Sequence, residues 1–345
     1  MIGPGTPGGR IVCLGDIMVD LAAVLPGPLV TGSDTPAPIS ICQGGSAANT
    51  AVWLAQLGVP SVFAGRVGAD SFGQDAVAAL RAYGVAVRVS VDPVASTGMC
   101  LVLISPDGER TMVPSAGANA KLTAAELGAD LLAAGDHLHL SGYSLLAEGS
   151  RQAALFALRL AGSLGASVSV DAASAGPIRT AGAEQFLSWL PAGALLLANA
   201  DELAALTGTR DQDAGVAAVV ARGLDLVLKC GGQGSVLGTA AGSWTHRPNP
   251  LRCWIRPGPA MPSPPGCWPP AGTEPSWLTR CGRPIGSAPR WSANWAPGPR
   301  ISRPPIEPPR FSRPPIEPAQ IQPAPIEPRF SRPNSAGHRS SARPG

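Results

Sequence analysis

The sequence is poor in charge, in aromatic side chains and above all in lysine. Lysine occurs twice in 345 residues, at Lys121 and Lys229, charged residues are 14% and the formal net charge is +3. That balance gives no electrostatic reason to expect a nucleic-acid partner. No run of 18 apolar residues occurs, so no membrane span is expected. Met1 to Arg10 is rich in Gly and Pro and has no apolar stretch, which speaks against a secretory signal and makes the cytoplasm the expected location. The seven cysteines form no C-x-x-C and no His stands at metal-ligand spacing, so the cysteines read as small buried apolar side chains kept reduced rather than as a metal site. The first apolar run is not followed by G-x-G-x-x-G, which disfavours a nicotinamide-dependent oxidoreductase.

What is present divides near residue 250. Residues 1–250 carry 13 basic and 19 acidic side chains, a net of −6; residues 251–345 carry 13 Arg and 4 Glu, a net of +9. Proline follows the same cut, 14 before it and 24 after it. Proline at that density cannot continue a helix-and-sheet domain. The second part also holds a degenerate repeat, Ser-Arg-Pro-Pro-Ile-Glu-Pro at 302–308 and 312–318. An ordered domain over 10–250 followed by a disordered Pro/Arg-rich tail over 251–345 is therefore expected.

Within the first part, Ile11 to Leu14 reads as a buried strand ended by Gly15, and 47–57 as a helix stopped by Gly58. Strands are expected at 61–64 and 85–91, with a helix at 75–83 between them. Ser105-Pro106-Asp107-Gly108 joins 99–104 to 111–113 as a hairpin. From residue 122 helices (123–133, 149–164, 182–188, 200–206, 213–222) alternate with strands (137–141, 167–171, 194–198, 225–229). Such alternation predicts an α/β fold with a mostly parallel sheet covered on both faces. The hairpin breaks that rhythm and is assigned to a small separate sheet.

Two short stretches carry candidate chemistry. Asp16 and Asp20 follow the first strand, where carboxylates suit either ligand hydroxyls or a capped turn. Gly44-Gly45 precedes the helix that contains Asn49, and two glycines let main chain approach a ligand closely.

Taken with Leu57-Gly58, Gly65…Gly68…Asp70…Phe72-Gly73, Gly117-Ala118-Asn119, Asn199…Glu202 and Lys229-Cys230-Gly231-Gly232-Gln233-Gly234, these features make the chain resemble the PfkB family of carbohydrate kinases over about 10–250. The resemblance implies a ribokinase-like α/β/α sandwich with a small β lid, its strands near 16–42 and 98–114, and ATP-dependent phosphorylation of a sugar hydroxyl. It places Asp16, Asp20, Gly44, Gly45 and Asn49 at the sugar. Asn199, Glu202, Lys229, Gly231 and Gly234 fall at ATP, with Glu202 ordering Mg²⁺; Asn199 and Glu202 equally fit a helix capping box. A homodimer formed through the lid is a further family expectation.

One family element is missing. Near residue 255 the family carries D-T-T-G-A-G-D-A-F, whose amides form an anion hole and whose second Asp is the base. The chain reads Trp254-Ile255-Arg256-Pro257-Gly258-Pro259-Ala260-Met261-Pro262-Ser263-Pro264-Pro265 instead, so no catalytic residue is assigned. Trp is always TGG and Ile always begins AT. Reading from the last base of the Trp254 codon gives GAT, which is Asp, and permitted codons continue as D-T-T-G-A-G-D-A-F-A-A-G-L-L. Only the first Asp and the last Ala of the nine-residue motif are forced. At the same offset, 280–299 reads V-R-A-A-N-R-L-G-A-A-V-V-G-Q-L-G-A-R-P. A frameshift between about His246 and Cys253 is inferred, and the Arg/Pro richness of the tail fits GC-rich coding read out of frame. The alternatives are a kinase whose gene carries the lost motif, a non-catalytic sugar-binding remnant, and a nucleoside kinase of the same fold.

Overall fold

The structure is a computed structural model and describes residues 9–247. The expected tail at 251–345 lies outside the described residues. In chain order come β1 (Ile11–Leu14), β2 (Met18–Val24), β3 (Ile39–Gly44), α1 (Ser46–Gln56), β4 (Ser61–Gly68), α2 (Ser71–Ala82), β5 (Ala86–Asp92), β6 (Gly98–Ile104) and β7 (Arg110–Ser115). Then follow α3 (Ala124–Leu127), β8 (His137–Ser141), α4 (Tyr143–Leu146), α5 (Glu148–Leu164), β9 (Ser167–Asp171), α6 (Ala175–Ala181) and α7 (Ala183–Ser188). β10 (Leu195–Asn199), α8 (Ala200–Thr207), α9 (Gln212–Val220), β11 (Asp225–Lys229), β12 (Ser235–Thr239) and β13 (Gly242–His246) complete the described chain.

Nine strands form the main sheet in the order β13-β12-β11-β10-β9-β8-β1-β4-β5. From β11 to β5 every pairing is parallel, and β12 and β13 add an antiparallel edge. Because side chains alternate, Val12, Leu14, Leu138, Leu140, Leu196 and Leu226 line one face, where α5, α8 and α9 pack. Cys13 and Phe63 point to the other face, against the alanines of α1 and α2. Alanine at 47, 48, 51 and 76, each fully buried, lets these helices sit close to the sheet.

β3-β2-β6-β7 form a second, four-stranded sheet. The hairpin that broke the α/β rhythm is β6–β7, and β2 and β3 join it in this small sheet, called the lid below.

Local reading erred where tertiary pairing or a single glycine decided. β4 runs on through Gly65 to Gly68, past the strand end expected at residue 64, because β5 pairs with it as far as Gly68 and Asp92. The helix expected at 123–133 ends at Leu127: Gly128 takes φ 71° after a Thr123–Glu126 capping box. α6 contains Pro177, which is tolerated because it lies in the first turn, where no helical N–H bond is lost. Among the described residues no helix is long and apolar enough to cross a membrane.

Candidate active site

The carboxyl ends of the parallel strands gather the polar residues. Ser141 and Asp171 are register partners on β8 and β9, and Asn199 and Lys229 on β10 and β11. Asp16 stands just beyond β1, and the lid begins two residues later. In open α/β sheets this edge is where ligands bind.

Asp20 lies on β2 between Cys42 of β3 and Cys100 of β6. Its carboxylate has no hydrogen bond or ion pair among the described residues. Burial first and the charge of Asp16 second raise its pKa, with Arg110 opposing them. A methyl group on Gly44 would stand 2.6 Å from Asp20 Oδ2, so glycine there keeps space beside the carboxylate. Gly45 adopts φ 103°, and a Cβ there would meet the Asp16 carbonyl oxygen at 2.5 Å. Glycine is required on both counts. The next helical turn holds Asn49, whose N–H makes the first α1 bond, to Gly45 O at 2.9 Å. The structure thus brings Asp16, Asp20, Gly44, Gly45 and Asn49 together around one corner.

Asn199 and Glu202 form the complete capping box. Asn199 Oδ1 accepts the Glu202 N–H at 2.9 Å, and Glu202 Oε2 accepts the Asn199 N–H at 2.8 Å. Asn199 Nδ2 also donates to Glu202 Oε1 at 2.7 Å. Glu202 is buried, and burial raises its pKa above the usual carboxylate range; the Asn199 amide and Lys229 oppose this, while Asp171 and Asp201 add to it. Lys229 Nζ pairs with Asp171 Oδ2 at 2.7 Å. Past Lys229, Gly231 opens a short 3₁₀ turn closed by Gly234, whose carbonyl accepts the Cys230 N–H at 2.8 Å.

Sequence reasoning missed three residues of this edge. Ser141 donates to Asp16 Oδ1 at 2.7 Å. Asp171 holds Lys229; its position at the end of a strand was the available signal. Thr97 ties the lid root to Asp70, donating to Asp70 Oδ1 at 2.6 Å through its hydroxyl and to Oδ2 at 2.8 Å through its N–H. Asp70 therefore anchors the start of α2 and the root of β6. No group of three or more His, Cys, Asp or Glu side chains placed to hold a metal ion occurs among the described residues.

A parallel sheet with polar residues at its strand ends and a small β sheet beside them defines the ribokinase-like class. Residues 9–252 match the pfkB family carbohydrate kinase, and the chain belongs to that family. Fructokinase-2 of Solanum lycopersicum is 32% identical over 166 residues, 47% of this chain and 50% of that protein. The chain thus spans about half the length of the curated relatives it matches. A putative ribokinase II from E. coli, in complex with ATP and Mg²⁺, superposes with TM-score 0.61 at 21% identity, covering 70% of this chain and 79% of that one. A fructokinase from Vibrio cholerae, with fructose, ADP and calcium bound, gives TM-score 0.57 at 24% identity, covering 69% and 76%. These two likenesses establish the fold.

Proposed function

We propose that this chain derives from an ATP-dependent kinase that phosphorylates a hydroxyl of a sugar such as fructose. The observation that carries the reading is Asp20: a partly buried carboxylate with no partner among the described residues, beside the space kept by Gly44. Such a group favours a ligand that donates hydrogen bonds, as a sugar hydroxyl pair does. The fructokinase relatives support a ketohexose as the sugar.

ATP fits the carboxyl ends of β10 and β11, where Lys229 supplies positive charge and Gly231–Gly234 an open turn. Mg²⁺ suits Glu202 reached through water, since both Glu202 oxygens accept bonds from Asn199 and Mg²⁺ keeps several of its waters. When bound, the ion neutralises charge on the phosphates. Asn199 holds Glu202 in place, and Asp16 and the glycines shape the sugar corner.

The base and the anion hole belong to the motif recovered one base out of frame after about residue 250. The chain as written binds and orients but does not transfer. A cytoplasmic location accords with the reading. So does a homodimer through the lid, whose face opposite Asp20 exposes Ile39, Ile41, Leu101 and Val113.

Two measurements test this. Calorimetry with fructose should show binding that Asp20→Ala weakens by about tenfold or more, the value of hydrogen bonds to a charged group. Loss of a base and an anion hole costs roughly 10²–10⁴-fold and 10²–10³-fold respectively. The chain as written should therefore release no fructose-dependent ADP, and restoring the frame near codon 250 should restore it. Robust ADP release from the unchanged chain would sink the reading.

A further inference from the structure

α1 starts without the usual means of capping. Its N-cap is Gly45, which has no side chain to offer, and its first turn has no acidic residue. The first N–H groups of a helix lack partners within the helix and must find them elsewhere. Asp16, 30 residues earlier, supplies two: Oδ2 accepts the Ser46 N–H at 2.7 Å, and its carbonyl oxygen accepts the Ala48 N–H at 3.3 Å. Its second carboxylate oxygen accepts the Ser141 hydroxyl at 2.7 Å, and Ser141 is fully buried. One carboxylate thus joins the end of β1, the start of α1 and the end of β8. The close approach of Gly45 to the Asp16 carbonyl presses the glycine pair onto the same point. The Asp20 carboxylate, four residues on, accepts no such bond among the described residues.

We infer that Asp16 is a positioning residue, a distal N-cap that fixes the Gly44–Gly45 corner, and that Asp20 alone of the two contacts the sugar. The inference rests on the sugar-binding reading of Asp20. Each Asp16 oxygen already holds one short bond to the protein, and a sugar hydroxyl would have to displace or share it. Asp16 then acts on the ligand through α1 and through its charge.

The test combines fructose calorimetry with amide hydrogen exchange at Ser46. Asp16→Ala should speed Ser46 exchange and weaken fructose binding together, by about tenfold, the order of a lost cap. Asp16→Asn keeps an oxygen for the Ser46 N–H and should restore most of both. Asp20→Asn should lose fructose with Ser46 protection unchanged. In Asp16→Asn the pH midpoint of fructose binding should move down, because Asp20 loses a negative neighbour; Arg110 on β7 and Cys100 on β6 are the other groups beside it. Should Asp16→Asn lose fructose as fully as Asp20→Asn while Ser46 stays protected, Asp16 touches the sugar and the inference falls. If the unchanged chain binds no fructose, the sugar reading fails by itself. Exchange still decides the cap: unaltered Ser46 protection in Asp16→Ala would overturn it.

Discussion

Asn119 closes on both main-chain polar groups of Ile17, 102 residues earlier: its Oδ1 accepts the Ile17 N–H at 3.1 Å and its Nδ2 donates to the Ile17 carbonyl at 2.8 Å. A side-chain amide here does the work of a neighbouring strand. Ile17 is fully buried at the point where the chain leaves β1 for the lid, and Asn119 stands where the chain returns from it. The two roots of the lid are thereby fastened to each other.

Asn119→Ala leaves the Ile17 N–H and C=O without partners in a buried place. Each such group costs about 1–3 kcal/mol, so a loss of roughly 2–6 kcal/mol is expected in chemical denaturation. Asn119→Asp keeps an acceptor for the N–H and should recover part of it. A loss below about 0.5 kcal/mol, the scale of an ordinary surface change, would show that the clasp carries no stability.

Asp70 caps α2 through the Gly73 N–H at 2.8 Å and holds Thr97 twice. Asp70→Ala removes the cap and both lid bonds together, and the cap alone is worth about 1 kcal/mol. Hydrogen exchange should rise at Thr97 and Gly98 as well as in the first turn of α2. Exchange changed in α2 alone would separate the cap from the lid root.

His139 is buried with Nδ1 2.9 Å from Ser169 Oγ and Nε2 unpartnered among the described residues. Burial lowers its pKa to about 4, with His137 and Lys229 adding to the effect and Asp171 opposing it. The folded chain thus holds the neutral ring, whereas the unfolded chain takes up a proton near pH 6.5. The resulting stability is complete above about pH 7 and drains away as pH falls from about 6.5 to about 4. Denaturation midpoints between pH 7 and 4.5 should fall less steeply in His139→Gln. Parallel slopes in the two proteins would reject the assignment.

Ala173 has φ 72°, the one non-glycine residue at positive φ among the described residues. It sits between Asp171, whose Oδ1 accepts its N–H at 3.0 Å, and α6. The left-handed conformation costs an L-residue about 1–2 kcal/mol, and glycine gives back part of the gain through its freer unfolded state. Ala173→Gly should therefore raise the denaturation midpoint, by an amount equivalent to about 0.5–1 kcal/mol. A lowered midpoint would mean that the turn is not strained.

The sequence alone determined the elements whose signals are local. Ile11 to Leu14 is apolar on every side and became a central strand. The strands expected at 137–141, 167–171 and 225–229 coincide with β8, β9 and β11, because short apolar runs between helices leave few alternatives. Asn199 and Glu202 stand three apart, so their capping box was legible before any coordinates. The Gly-Gly pair before α1 also showed itself, since only glycine tolerates so close an approach.

Tertiary structure decided whatever depends on residues distant in the chain. The extent of β4 came from pairing with β5, because ladder bonds to a neighbour outweigh the weak strand propensity of glycine. Ser141 meets Asp16 across 125 residues, and Asn119 meets Ile17 across 102; no periodicity records such meetings. The same holds for the two aspartates after β1. In sequence they are two carboxylates four residues apart, with nothing local to separate their contacts. Only folding carries Asp16 against the start of α1 and the end of β8, where its charge is met, and leaves the Asp20 carboxylate on β2 without a hydrogen bond among the described residues.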